Sequence, residues 1–334
     1  MLRRTLILAT AAAALAISGC GGGDDEPRTP RAASSAKLRA ELKGATESRA
    51  SDFPATRGRS LQQVADALDG AGPQVGLAGT VFTPGENRLA FGVIDQKTGF
   101  VNGKTAVYVA DSPGSKARGP FPAPADLLVT DTPYRSQTAP TEDDPFAAVY
   151  ETQLTLPRSG STAILVVTKV NGRLIGAPTR IKVLPRSRDR IPRPGQRPPS
   201  ITTDTVQAAG GNIKSIDTRL PPDDMHDVNF ADVVAKKPVA LLFATPALCA
   251  SRVCGPVVDI ALQLKASYGD RMTFIHQEVY VDNQANKGLR EPLRRFNLQT
   301  EPWLFVVDRH GRVTARLEGS FGFNAFERAI KTAL

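Results

Sequence analysis

Cysteine and histidine are scarce in this chain, three of each among 334 residues, and there is one tryptophan. From Gly76 to Val183 there is no cysteine, no histidine and no acidic cluster at metal-ligand spacing. The middle of the chain therefore offers no evident catalytic or metal chemistry, and Asp143 and Asp144 read as solvated loop charges. The formal charge is +9, but the arginines are scattered, with no basic helix and no aromatic-studded basic groove. Nucleic acid is set aside as a partner on that ground. What is plentiful is glycine (28) and proline (26), which predicts extensive loops. The length suits two ordinary domains or one large one.

The first residues carry an address. Met1-Leu2-Arg3-Arg4 is basic, Leu6 to Ile17 is apolar, and Ser18-Gly19-Cys20 follows with small residues. This is the layout of a secretory signal peptide. The apolar run is too short to span a bilayer comfortably. "ISGC" resembles the lipobox of bacterial lipoproteins. That resemblance implies residues 1–19 as signal peptide, Cys20 as the lipidated (palmitate-bearing) residue, and an anchor on the extracytoplasmic side of the cell membrane. Buried acyl methylenes contribute about 0.8 kcal/mol each to such anchoring. Removal of Arg3 and Arg4 would still leave a basic protein.

Organisation follows from composition. Residues 20–59 begin small, polar and proline-bearing, and read as a flexible tether, ambiguous and partly helical from Lys37 to Arg59. Leu61, Val64, Ala65 and Leu68 mark one face of a short helix starting near Ser60. From Gly76 to Val183 the period changes to short β-rich segments separated by turn residues. Asn171-Gly172 is the strongest hairpin signal among them. Residues 60–184 are therefore expected to form an immunoglobulin-like β-sandwich behind a short leading helix. Residues 185–201, rich in proline and arginine, read as a solvated basic linker.

Residues 202–334 alternate. "KPVALLFAT" is a nearly continuous apolar run, as in a strand covered on both faces. "GPVVDIALQLKASYG" suits a helix, "MTFIHQEVYV" a strand, and "NKGLREPLRRFNL" a helix bent or restarted at Pro292. "WLFVVDRHGRVTARLEG" holds two strands joined at Arg309-His310-Gly311. "NAFERAIKTAL" ends the chain as a helix with Asn324 and Glu327 spaced as a capping pair. Asn229 is positioned to cap a short helix further upstream. The predicted order is β-α-β-α-β-β-α.

This region resembles the thioredoxin family. The apolar strand leads into a cysteine-bearing turn and a helix; "CGPVV" from Cys254 resembles the thioredoxin "CGPC"; and "TEPWLFVVD" from Thr300 falls where thioredoxins carry a cis-proline loop. The whole layout is similar to two-domain actinobacterial lipoproteins with a C-terminal thioredoxin-like part. The resemblance implies a multidomain chain with an α/β thioredoxin-like second domain, and Pro302 as the cis-proline. It also implies thiol-disulfide exchange with exported protein thiols or disulfides, supplied by a redox partner protein and needing no cofactor. The cysteines depart from the family pattern: Val257 stands where the second cysteine belongs, and the pair is instead Cys249 and Cys254, a C-x4-C. At a helix start, with Gly255 and Pro256 following, Cys254 is expected to be the exposed nucleophile and Cys249 the resolving residue, the two forming a disulfide when oxidised.

Two other readings compete. A permanent Cys249–Cys254 staple in a non-catalytic binding or scaffold lipoprotein would bury both sulfurs. Copper handling of the Sco type needs a histidine beside the pair, and His226, His276 and His310 all lie elsewhere in the pattern. His276 reads as an interior histidine and His310 as a turn residue. A peroxiredoxin-like arrangement matches loosely, since Thr245 is four residues before Cys249 and Pro246 follows it.

Overall fold

The computed structural model of the chain describes residues 30–334, with the exception of 97, 98, 250 and 251. Cys20 and the signal-like segment lie outside the described residues. No helix among the described residues is long and apolar enough to cross a membrane.

Helix α1 (Pro30–Ala45) precedes α2 (Leu61–Asp66). The Ser60 side chain accepts the Gln63 backbone N–H and Gln63 returns a bond to the Ser60 backbone, so α2 starts where the sequence places it. The strands that follow are β1 (Gly70–Ala71), β2 (Gln74–Leu77), β3 (Gly85–Asp95), β4 (Gly99–Phe100), β5 (Thr105–Ala110), β6 (Arg118–Pro122), β7 (Ala125–Leu127), β8 (Ala148–Leu156), β9 (Gly160–Val170) and β10 (Arg173–Val183). They form two sheets, ordered β1-β10-β9-β5-β6 and β2-β3-β8-β7, with β4 beside β3. Leu89, Phe91, Val107, Val109, Tyr150, Ile164 and Val166 interdigitate between them as the core of a β-sandwich. Val170 pairs with Arg173 across Asn171-Gly172, both with positive φ (49° and 81°), which is the two-residue hairpin that this dipeptide favours.

The expected tether is packed over its second half. Leu42 and Ala45 of α1 and the following Phe53 are buried, and the Lys104 ammonium pairs with Asp52 at 3.1 Å. Those three apolar side chains give a polar stretch something to bury. The expected solvated linker is mostly exposed but is anchored at a few points. Ile191 and Ile201 join the core of the C-terminal sheet, and Arg316 forks onto Asp189 at 2.7 and 3.2 Å. Gly195 N–H donates to Val313 O and Val313 N–H to Gln196 O, both at 2.8 Å. Two isoleucines and one aspartate anchor this basic, proline-rich stretch to the fold.

The C-terminal α/β unit contains α3 (Phe230–Val233), β11 (Val239–Phe243), α4 (Cys254–Tyr268), β12 (Thr273–Gln277), α5 (Glu291–Phe296), β13 (Trp303–Val307), β14 (Val313–Glu318) and α6 (Phe323–Lys331). The sheet order is β12-β11-β13-β14, with β11 and β12 parallel and the other pairs antiparallel. This is the predicted order and a thioredoxin-like arrangement. Every residue of β11 and β13 is buried, as continuous apolar runs covered on both faces should be. Asn229 caps α3 through the Ala231 N–H, and α5 starts with Pro292 in its first turn.

The terminal helix departs from expectation. Asn324 does not cap α6; the Asp126 carboxylate, contributed by β7, accepts the N–H groups of Asn324 (2.9 Å) and Ala325 (2.8 Å). Glu327 instead accepts the Tyr268 hydroxyl at 2.6 Å and the Lys331 ammonium at 2.8 Å. A Cβ on Gly322 would come within 2.5 Å of the Asp126 carboxyl carbon, so the close approach requires glycine there. The two units also share a core: Ala90, Leu128 and Val149 of the sandwich pack with Val257, Val258, Ala261, Phe321 and Phe326. Across the same seam the Arg88 guanidinium donates to Glu151 Oε2 (2.5 Å) and to the carbonyls of Glu318 and Ser320.

Candidate functional site

The register of the sheet assembles the site. Phe243, the last residue of β11, stands opposite Trp303, the first of β13. The loop leaving β11 therefore meets the loop entering β13. The first of these loops is Ala244 to Val253, with Cys249 in it and Cys254 at its end; the second is Thr300-Glu301-Pro302. The Glu301–Pro302 peptide bond is cis, as the resemblance implied for Pro302. The parallel strand β12 ends beside β11, and Tyr280, three residues past its end, shares an electrostatic neighbourhood with Glu301 and both cysteines.

The cysteine loop is well anchored. Leu248 and Cys249 N–H groups donate to Thr245 O at 3.2 and 3.1 Å, and Arg252 N–H donates to Cys249 O at 3.2 Å. Ala247 N–H donates to the Thr218 hydroxyl oxygen at 3.1 Å, and that hydroxyl donates to the buried Glu278 carboxylate at 2.5 Å. Arg252 takes a positive φ of 60°, turning the chain sharply before the helix begins.

Cys249 and Cys254 are present as thiols, and the Cys254 side chain is hydrogen-bonded to that of Cys249. They differ in exposure. Cys254 is 0% exposed and belongs to the core, whereas Cys249 is half-buried, preceded by the exposed Leu248. This reverses the exposure expected from sequence, which had Cys254 as the exposed sulfur. Cys254 does open α4, but a loop of the sandwich lies over that helix start. Ser136 donates both its backbone N–H (3.0 Å) and its hydroxyl (2.9 Å) to Asp259 on α4. A Cβ on Gly255 would meet the Thr138 hydroxyl at 3.0 Å.

Burial dominates the electrostatics of Cys254. Desolvation pushes its thiol well above its ordinary value of 9.0; the hydrogen bond and charge of Cys249 and the charge of Glu301 add to this, against one backbone hydrogen bond from Thr245. The helix N-terminus, which favours a thiolate on a solvated cysteine, is outweighed. Glu301 is half-buried and its carboxyl is raised above 4.5, first by desolvation and then by Cys249. The arrangement offers the parts of two-electron dithiol chemistry: a half-buried cysteine, a second sulfur within hydrogen-bonding reach, and a carboxyl with a raised pKa in their electrostatic neighbourhood.

The other candidates fall elsewhere. Trp303 is buried, stacked on Phe305, and donates its ring N–H to the Thr300 hydroxyl at 3.0 Å. His310 sits in the Asp308–Gly311 turn. His276 is interior, with Nδ1 2.7 Å from Asp223 and Nε2 3.1 Å from Ala244 O. Among the described residues, His226 and His276 group with Asp217 and Asp223 as possible metal donors, and that group contains no cysteine. The Sco-like reading thereby lacks a histidine at the thiols. Sequence reasoning overlooked Tyr280 and Thr218; Tyr280 was findable as the residue just past the strand parallel to the cysteine-bearing one.

No family model matches the chain, and no curated protein does. Three solved structures illustrate what it is similar to. A protein named as a thiol:disulfide interchange protein DsbE from Chlorobium tepidum is 16% identical, covering 42% of this chain and 98% of its own, with a TM-score of 0.31. A thiol:disulfide interchange protein of the thioredoxin family from Chlorobium tepidum TLS is 20% identical over 42% and 97%, TM-score 0.30. The PKD domain of human VPS10 domain-containing receptor SorCS2 is 14% identical over 52% and 97%, TM-score 0.17.

Proposed function

We propose that this chain is a membrane-tethered, extracytoplasmic thiol-disulfide oxidoreductase acting on exported proteins, with Cys249 as the attacking sulfur and Cys254 as the resolving one. The observation that carries this reading is the asymmetry of a hydrogen-bonded dithiol: a half-buried Cys249 in front of a buried, protonated Cys254. Export and the lipid anchor at Cys20 rest on the sequence from Met1 to Cys20.

In the reducing direction, the Cys249 thiolate attacks one sulfur of a substrate disulfide. A Cys249–substrate disulfide forms, and the first substrate sulfur leaves as a thiolate and takes up a proton. Cys254 then gives up its proton and attacks Cys249 sulfur, releasing the second substrate thiol. Glu301, whose charge acts on Cys254, accepts that proton in this reading. Two electrons pass from the dithiol to the substrate, and the chain is left with a Cys249–Cys254 disulfide. A dithiol partner protein restores it; the oxidising direction is the same sequence reversed.

Burial of Cys254 favours a second reading, a scaffold lipoprotein in which the pair is a permanent staple worth about 2 kcal/mol. Trapping separates the two. In cells making Cys254→Ser, mixed disulfides with exported proteins should accumulate on Cys249, and Cys249→Ser should yield few. Equal, background-level trapping by both variants would remove the catalytic reading and leave the staple.

A further inference from the structure

The segment Asp217–His226 and strand β12 bring together four side chains that the thiol chemistry does not use. Asp217, Asp223, His226 and His276 are all buried, and one donor atom from each lies within 4.8 Å of the others. We propose that these four residues form a closed site for one divalent transition metal ion, zinc being the ion their chemistry fits best, seated beneath the cysteine loop.

His226 is the independent pointer to a ligand. Its side chain is 1% exposed, and neither ring nitrogen has a hydrogen-bond partner. Nε2 faces Asp223 Oδ1 at 3.4 Å and Asp217 Oδ2 at 3.8 Å, without hydrogen-bond geometry to either. Buried polar atoms of native proteins are nearly always satisfied, so an imidazole left this way calls for a partner. A metal ion between it and the carboxylates takes up the lone pair of Nε2.

The remaining donors are already oriented. His276 Nε2 donates its N–H to Ala244 O at 3.1 Å, and Nδ1 donates to Asp223 Oδ2 at 2.7 Å; a bound ion would take the place of that Nδ1 proton. Metal-binding imidazoles are commonly held by such a bond on the far nitrogen. Asp217 accepts the backbone N–H groups of Arg219 and Asp223, both at 2.7 Å, and Asp223 accepts that of Met225 at 2.9 Å. Each carboxylate is thus fixed while keeping lone pairs to spare. The nitrogen-to-oxygen approaches are 2.7 Å (His276 Nδ1 to Asp223 Oδ2), 3.4 Å (His226 Nε2 to Asp223 Oδ1), 3.8 Å (His226 Nε2 to Asp217 Oδ2) and 4.0 Å (His276 Nδ1 to Asp217 Oδ1), so each imidazole has both carboxylates beside it. With the His276 proton displaced, two carboxylates and two imidazoles balance a dication, and imidazole with carboxylate suits zinc better than calcium or magnesium.

The test uses the full chain, freed of metal by chelator during reversible unfolding and titrated with Co²⁺ and then Zn²⁺. One equivalent of Co²⁺ should give visible d–d bands with no thiolate-to-cobalt band in the near ultraviolet, and one equivalent of Zn²⁺ should erase them. The Cys249→Ser/Cys254→Ser double variant should bind as the parent does, and His226→Gln should bind more than tenfold more weakly. If His226→Gln does not fold, the spectrum of the parent chain decides: bands from nitrogen and oxygen ligands alone uphold the site. No uptake, a thiolate band, or loss of binding in the cysteine double variant overturns it.

Discussion

At the scale of single residues, the chemistry turns on which sulfur holds its proton. Cys254 is kept as a thiol by burial, by Cys249 and by the charge of Glu301. Replacing that charge, Glu301→Gln, should lower the pH at which Cys254 becomes reactive; pH-dependent alkylation followed by mass spectrometry reads it. An unchanged or higher midpoint would show that Glu301 does not act on the pair. The same substitution has a signature in stability. Glu301's carboxyl is raised in the folded chain, so the folded state holds a proton that the unfolded state has released. Stability is complete below the unfolded carboxyl's value and is lost as pH rises through the folded one. Glu301→Gln should therefore gain over the parent from above about pH 4.3 upward, measured by denaturant unfolding at several pH values. The pair itself was legible from sequence because its neighbours spell a strand, a turn and a helix. The relative exposure of its two members was not, since burial of Cys254 depends on Ser136 and Thr138, more than a hundred residues away.

At the scale of elements, α6 shows how local rules yield to tertiary structure. Asn324 and Glu327 have capping-pair spacing, yet a carboxylate from β7 takes the cap. Burial raises the Asp126 carboxyl while the two N–H groups and Arg88 oppose the shift. Asp126→Ala should destabilise the chain by about 1–2 kcal/mol, the usual worth of a lost cap, in equilibrium unfolding. A change within a few tenths would mean that the contact is incidental. The helices and strands from β11 onward were readable because apolar runs, capping residues and glycine turns agree along that stretch. The anchoring of the largely exposed stretch from Pro185 to Ile201 is not legible in composition, because its prolines and arginines outnumber the two isoleucines that join the core.

At the scale of the whole molecule, the sandwich and the α/β unit behave as one body. They share a core through Ala90, Leu128 and Val149, and Arg88, whose guanidinium is lowered to about 10 by burial, is satisfied by groups on both sides. Trp303, the one tryptophan, reports on the α/β sheet, while strand circular dichroism is dominated by the sandwich. The two signals should lose structure at the same denaturant concentration, in one cooperative transition. Separate midpoints would mean that the seam contributes little. No sequence pattern announced that seam, because Arg88, Asp126 and Ser136 meet their partners only after both sheets are built.

The claim that Cys249 and Cys254 form a working redox couple is tested most directly by their reduction potential. The chain is equilibrated in glutathione and dithiothreitol buffers and its thiols are trapped and counted. A potential between about −120 and −270 mV, reached rapidly in the folded protein, is the expected result. A value below about −300 mV, or a bond that reacts only after unfolding, would contradict the redox role and leave a stapled scaffold.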